Sequence, residues 1–205
     1  QKYDISNKDT GIYTASGGSM SRIHRFLEKV ENRGVMSCNP MAIVASISGT
    51  LSFNLVSTYN IRGFSCGHVS ACASSGHSLG FAFDEIRYGR QKRMFVVGAE
   101  DCDFHSIVPF CGMRALSLDT NPHTASKPFD RNRKGFISTG GGTVLLLENE
   151  EEVMRRGSNP YSELVGWGQA SDGYNVAISH PEGFGLSDAM QRALDDADIT
   201  PDKIG

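Results

Sequence analysis

Residues 64–98 constrain the fold more than any other stretch. An apolar strand at 64–69 runs through the small residues Ser70 and Ala71 and through Cys72 into a helix whose Leu79, Ala82, Phe83 and Ile86 share one face. Gly89 ends that helix, and Met94, Phe95, Val96 and Val97 follow as the kind of continuous apolar strand that is buried on both faces. Strand, helix and strand in this order imply a parallel sheet with a right-handed crossover. The chain is therefore expected to be an α/β protein with Cys72 at a strand-to-helix turn.

The flanking sequence fits the same class. Residues 11–15 read as a short strand entering the loop 16–19, and Ile23, Phe26, Leu27 and Val30 mark the stripe of a helix. A second helix is expected after Asn39, a good N-cap, with Pro40 in its first turn. After the glycines 140–142, residues 143–147 read as another buried strand, and 162–167 as a further strand. The last helix is expected over 184–198, with Leu186, Met190, Ala193 and Ala197 at helical spacing. No repeat, low-complexity tract or linker divides the chain, so residues 1–205 read as one domain. A strand should follow that last helix, and the first residue is Gln1 rather than Met; the sequence is expected to continue at both ends.

Composition removes several function classes. At 39% hydrophobic and 21% charged, the chain can build a sizeable core, and its net charge of −3 comes without long charged runs. Neither nucleic acid nor a membrane is expected as partner. No apolar run approaches the ~20 residues that span a bilayer, and the start, Gln1-Lys2-Tyr3-Asp4, has no apolar signal segment. The five cysteines are odd in number and contain no CxxC pair, which fits a reducing, cytoplasmic setting. The phosphate-binding glycine motifs, GxSxG and HExxH are absent, and neither Cys66 with Cys72 nor the scattered histidines form a zinc set; no metal is expected.

Cys72 is the residue with chemistry to offer. A cysteine at the first turn of a helix meets unpaired N–H groups and the positive end of the helix dipole, which favour thiolate over thiol. Its small neighbours, Ala71 among them, leave room for an acyl group, and its own N–H can face an acyl oxyanion. A buried structural cysteine is the other reading that spacing leaves open.

The run Val69-Ser70-Ala71-Cys72-Ala73-Ser74-Ser75-Gly76-His77-Ser78-Leu79-Gly80 resembles the nucleophile motif of the β-ketoacyl-acyl-carrier-protein synthases. The resemblance continues in family order through Gly98-Ala99-Glu100-Asp101, Met113-Arg114-Ala115-Leu116-Ser117 and Ala125-Ser126-Lys127-Pro128-Phe129-Asp130 with Gly135-Phe136. It extends through the glycines 140–142, Glu163-Leu164-Val165-Gly166-Trp167-Gly168, Ser171-Asp172-Gly173 and His180-Pro181-Glu182-Gly183.

The resemblance implies a thiolase-like layered αβαβα fold built from two similar halves, with most of the first half and the start of the second in this sequence. Cys72 would carry the acyl chain and attack-ready partners would arrive on acyl carrier protein, so no metal or bound cofactor is implied; phosphopantetheine comes with the carrier. Gly18 matches a residue at the floor of the acyl pocket, although it can equally supply a positive-φ turn. Phe110 matches an aromatic lining the pocket, or is ordinary core. Arg114 and Arg33 match carrier-protein contacts, although lone surface arginines often only solvate a face. A homodimer is implied. The family's His-Gly-Thr motif is expected just after Gly205, and none of the six histidines here fills it; His77 is expected to pack rather than to act as a base. Two alternatives remain: a thiolase-type acyltransferase and a non-catalytic synthase-like subunit.

Overall fold

The computed structural model describes residues 4–205; the expectation for the extreme N-terminus at Gln1 to Tyr3 lies outside them. Strand β1 (Thr10–Ala15) is followed by helices α1 (Met20–Arg33), α2 (Ala42–Ser46) and α3 (Thr50–Tyr59), then strand β2 (Ser65–His68). Helix α4 (Ser74–Arg87), strand β3 (Arg93–Glu100), the short helices α5 (Phe104–Ile107) and α6 (Pro109–Gly112) and strand β4 (Gly141–Glu148) come next. Helices α7 (Glu150–Arg156) and α8 (Phe184–Ala197) complete the order.

The four strands form one sheet in the order β2-β1-β3-β4. Strand β1 pairs in parallel with both β2 and β3, so it separates the two strands that α4 connects. All six of its residues are buried, as a central strand covered on both faces requires. Alternation sends Tyr13 toward a cluster with Met94, Val96 and Ala82 of α4. Ile12 points the other way, to Val97, Ile61 and the α3 residues Leu51, Leu55 and Val56. Helix α4 thus covers one face and α3 the other, which gives the expected helix–sheet–helix layering.

Three expectations need correction. Strand β4 is present but antiparallel to β3, and it is not buried: Val144, Leu145 and Leu146 are 60%, 45% and 45% exposed. Among the described residues it is the last strand of the sheet, paired on one side only, and an apolar run cannot announce how many neighbours it will have. Residues 162–167 form no strand, because among the described residues no ladder accepts them; the Trp167 N–H donates to Asp196 of α8 instead, at 3.0 Å. Asn39 accepts from the Met41 N–H at 2.8 Å in a local Asx turn, and α2 itself begins only at Ala42.

The C-terminal segment is fastened to α4 by one aromatic. The Trp167 indole donates to Asp84 at 3.2 Å and meets Phe81 edge-on, and Arg87 bridges Asp84 and Asp196 at 2.7 and 2.6 Å. Gly80 makes this approach possible, since a Cβ there would lie 2.0 Å from the indole ring. Gly80→Ala should therefore cost about 1–2 kcal/mol, overpacking outweighing the gain in helix propensity. Trp167 is the single tryptophan, so its emission reports the displacement directly. An unshifted spectrum and unchanged denaturation midpoint would refute the packing argument.

Candidate active site

Cys72 sits in a turn that the sequence strains and then staples. Ala71 adopts a left-handed φ of 45°, a conformation that costs a non-glycine residue about 1 kcal/mol or more. Buried Ser74 holds it there: its Oγ accepts from the Ser70 N–H at 2.7 Å and donates to the Ala71 carbonyl at 2.7 Å. The backbone adds Ala73 N–H to Ser70 O at 3.0 Å and Ser74 N–H to Ala71 O at 3.2 Å. The result turns the chain from β2 into α4 within five residues.

The thiol is exposed, and so are Ala71 and Ala73 beside it, which leaves the approach open to an acyl group. Cys72 stands one residue before the helix N-cap, Ala73, rather than inside the first turn as the sequence suggested. Ala73 offers no side-chain cap and the first turn of α4 carries no acidic residue, so no side chain offsets the positive helix end that follows Cys72 in the chain. Among the described residues the Cys72 N–H donates to no protein acceptor, which leaves it able to face an oxyanion.

The parallel strands bring other loops to the same edge. Ala15 at the end of β1 is in register with His68 on β2 and Gly98 on β3, so the segments after all three strands emerge side by side. Ligands bind at this C-terminal edge in open α/β sheets. The Gly17 N–H donates to Glu100 at 3.1 Å, tying the first loop to the third. Gly18 follows with φ 84°, and a Cβ there would come within 2.8 Å of the Ser46 carbonyl. Local geometry alone thus requires glycine at this position.

The remaining expected residues are more scattered. Phe110 lies on α6 beyond the end of β3, 39% exposed, and meets Phe136 edge-on at 5.4 Å. Arg114 follows α6 with φ 55°, and Arg33 ends α1; both are exposed and neither forms an ion pair among the described residues. His77 stacks against Phe81 at 6.0 Å. No three His, Cys, Asp or Glu side chains are grouped to hold a metal ion among the described residues, and no helix is long and apolar enough to cross a membrane. Ser74, Ser78 and His68 also structure this region; the i, i+4 spacing of Ser74 and Ser78 was the available signal that both lie on one face of the helix.

Comparison with known proteins identifies the family. Residues 1–152 match the family model "Beta-ketoacyl synthase, N-terminal domain", and residues 161–205 match "Beta-ketoacyl synthase, C-terminal domain". The chain is 35% identical over 204 residues to 3-oxoacyl-[acyl-carrier-protein] synthase 1 of Haemophilus influenzae, covering 98% of this chain and 50% of that protein. It is 34% identical over 200 residues to 3-oxoacyl-[acyl-carrier-protein] synthase 2 of Staphylococcus aureus, covering 95% and 49%. A β-ketoacyl synthase structure from Burkholderia phymatum superposes with a TM-score of 0.88 at 30% identity, over 97% of this chain and 48% of that one. A type II PKS ketosynthase complex, at 23% identity and a TM-score of 0.89 over 98% and 52%, shares the fold. The chain spans about half the length of the curated relatives it matches. With matches in order along both parts of the sequence and a common fold beneath them, the chain belongs to the β-ketoacyl synthase family.

Proposed function

We propose that the full-length protein is a 3-oxoacyl-acyl-carrier-protein synthase whose acylated nucleophile is Cys72. The carrying observation is the stapled turn that leaves this thiol exposed beside the uncapped positive end of α4. The relatives at 35% and 34% identity are named for this reaction.

In the first half-reaction the Cys72 thiolate attacks an acyl thioester on acyl carrier protein, and the carrier thiol departs. The Cys72 N–H is proposed to stabilise the oxyanion that forms between these steps. In the second, a malonyl thioester loses carbon dioxide, and the carbanion attacks the acyl-Cys72 carbonyl. The carbon–carbon bond forms as the carbon–sulfur bond breaks, which regenerates the thiolate and leaves a 3-oxoacyl group on the carrier. Phosphopantetheine travels with the carrier, so the protein needs no bound cofactor of its own.

Gly18 and Phe110 are the residues proposed to bound the acyl channel, Gly18 because it adds no side chain where the first loop meets the sheet edge. Exposed Arg33 and Arg114 are proposed to meet the acidic carrier, and the assembly is proposed to be a homodimer acting in the cytoplasm. Incubation of the full-length protein with acyl-loaded carrier should add one acyl mass to the intact protein, mapped to the peptide holding Cys72. An adduct that persists in Cys72→Ala would sink the assignment.

A further inference from the structure

His68, the last residue of β2, stands four positions before Cys72 and takes no part in the reaction drawn above. Its ring is walled by Tyr13 of β1, edge-on at 4.9 Å, and by Phe81 of α4 at 5.1 Å. Its Nδ1 lies 3.0 Å from the Oγ of fully buried Ser78, and that Oγ lies 3.1 Å from the Thr14 carbonyl oxygen.

These contacts assign the proton. A carbonyl oxygen has no hydrogen to give, so the single Ser78 hydroxyl proton points at Thr14. The Ser78 oxygen must then accept, and the donor is the Nδ1–H of His68. This inventory fixes a proton on Nδ1, which the neutral tautomer with a bare Nε2 satisfies. Burial, and then the neighbouring His77, push the imidazole below its ordinary value and favour the same uncharged form.

The chain His68–Ser78–Thr14 joins three elements around the nucleophile turn: β2 before it, α4 after it and β1 beneath both. Strand β2 needs this anchor. It is four residues long, pairs with β1 alone among the described residues, and its first three residues are exposed. His68 is held by its register opposite Ala15, by the two rings and by Ser78, and the end of β2 sets where the turn begins. Ser74 grips the turn from the helix side and His68 grips it from the strand side.

We propose that His68 is a positioning residue for Cys72, its Nδ1–H bond to Ser78 locking the end of β2 against α4 and β1 so that the turn presents the thiol in one geometry. The proposal rests on the reading of Cys72 as the nucleophile.

The test compares His68→Leu, which keeps bulk but no donor, with His68→Asn, whose amide nitrogen occupies the place of Nδ1. In the full-length protein, acyl transfer to Cys72 followed by intact mass should slow roughly tenfold in the leucine variant, the scale expected for a misplaced reacting group. The asparagine variant should stay within about twofold of wild type. A folded leucine variant that acylates at the wild-type rate overturns the proposal, as does an asparagine variant as slow as the leucine one. If the leucine variant does not fold, Ser78→Ala takes its place with the same expected loss and the same overturning result. Alkylation of Cys72 by iodoacetamide in the same proteins separates the two readings. Wild-type protein that alkylates but never acylates at Cys72 overturns the condensing reading while the variants still test positioning.

Discussion

Cys72→Ala in the full-length protein is expected to lower condensation turnover by at least about a thousandfold, the scale seen when a covalent nucleophile is removed. The folded state should barely notice. The thiol is exposed and makes no hydrogen bond among the described residues, so the change belongs with surface substitutions that shift stability by no more than about 0.5 kcal/mol. The turn is held by Ser70, Ala71 and Ser74, none of which is altered. Activity and stability therefore separate in a single variant. Turnover measured with acyl-loaded and malonyl-loaded carrier, beside a denaturation curve, checks both halves. A loss smaller than tenfold would remove Cys72 from the reaction, whereas a large loss of stability would show that the turn depends on the sulfur.

Serine at the same position separates shape from nucleophilicity. It preserves the shape and the backbone N–H but replaces a thiol, ordinarily ionised near pH 8.5, by a hydroxyl that the helix terminus cannot ionise near neutrality. Cys72→Ser is therefore expected to fall close to the alanine variant.

The parts of this fold that were legible in the sequence are those specified locally. Strand β1, helix α4 and strand β3 each carry their own period and their own breaker, so their places and the α/β class could be read without knowing what they touch. Strand β4 shows the limit. Its run of Val144 to Leu147 looks as buried as the run in β3, yet one strand lies inside the sheet and the other at its edge. Neighbour number is a property of the assembled sheet. Residues 162–167 fail for the same reason: their extended character is real in composition, but a strand also needs a partner, and Asp196 satisfies the Trp167 N–H instead.

The candidate site divides in the same way. Cys72 was visible because small residues between a strand and a helix announce a turn, although α4 begins after Cys72 rather than including it in its first turn. The ordered motifs then identified the family. The bond from His68 to Ser78 was not visible, since the pair lies ten positions apart across turn and helix and only the packing of α4 onto the sheet brings the ring to the hydroxyl. Gly18 was visible as a glycine that permits positive φ; that its Cβ would collide with Ser46 depended on a helix whose start the sequence misplaced.

Glu152→Ala should destabilise the protein by about 3 kcal/mol, the lower end of the range for breaking a buried ion pair. The pair concerned opens β3. Buried Arg93 donates from Nε to Glu148 at 3.0 Å and from Nη2 to Glu152 at 2.8 Å, joining β3, β4 and α7. Without Glu152 the guanidinium keeps Glu148, which Arg156 also engages, and loses the carboxylate that satisfied Nη2. Arg93→Met alone should be costly for the converse reason, but Arg93→Met with Glu152→Leu should recover part of the loss, because apolar groups of similar size leave no buried charge unpaired. Acid titration gives a second check. The Arg155 guanidinium first, then Arg93 and Lys92, hold the Glu152 carboxyl below its ordinary value of 4.5. A carboxylate depressed in the folded state contributes stability above its unfolded value, and that contribution fades as pH falls through the folded one. Wild type should therefore lose stability on acidification below pH 4.5 by a component that Glu152→Gln lacks. Parallel acid profiles for the two proteins, or a Glu152→Ala midpoint within about 0.5 kcal/mol of wild type, would mean that the network is solvated in solution and holds nothing together.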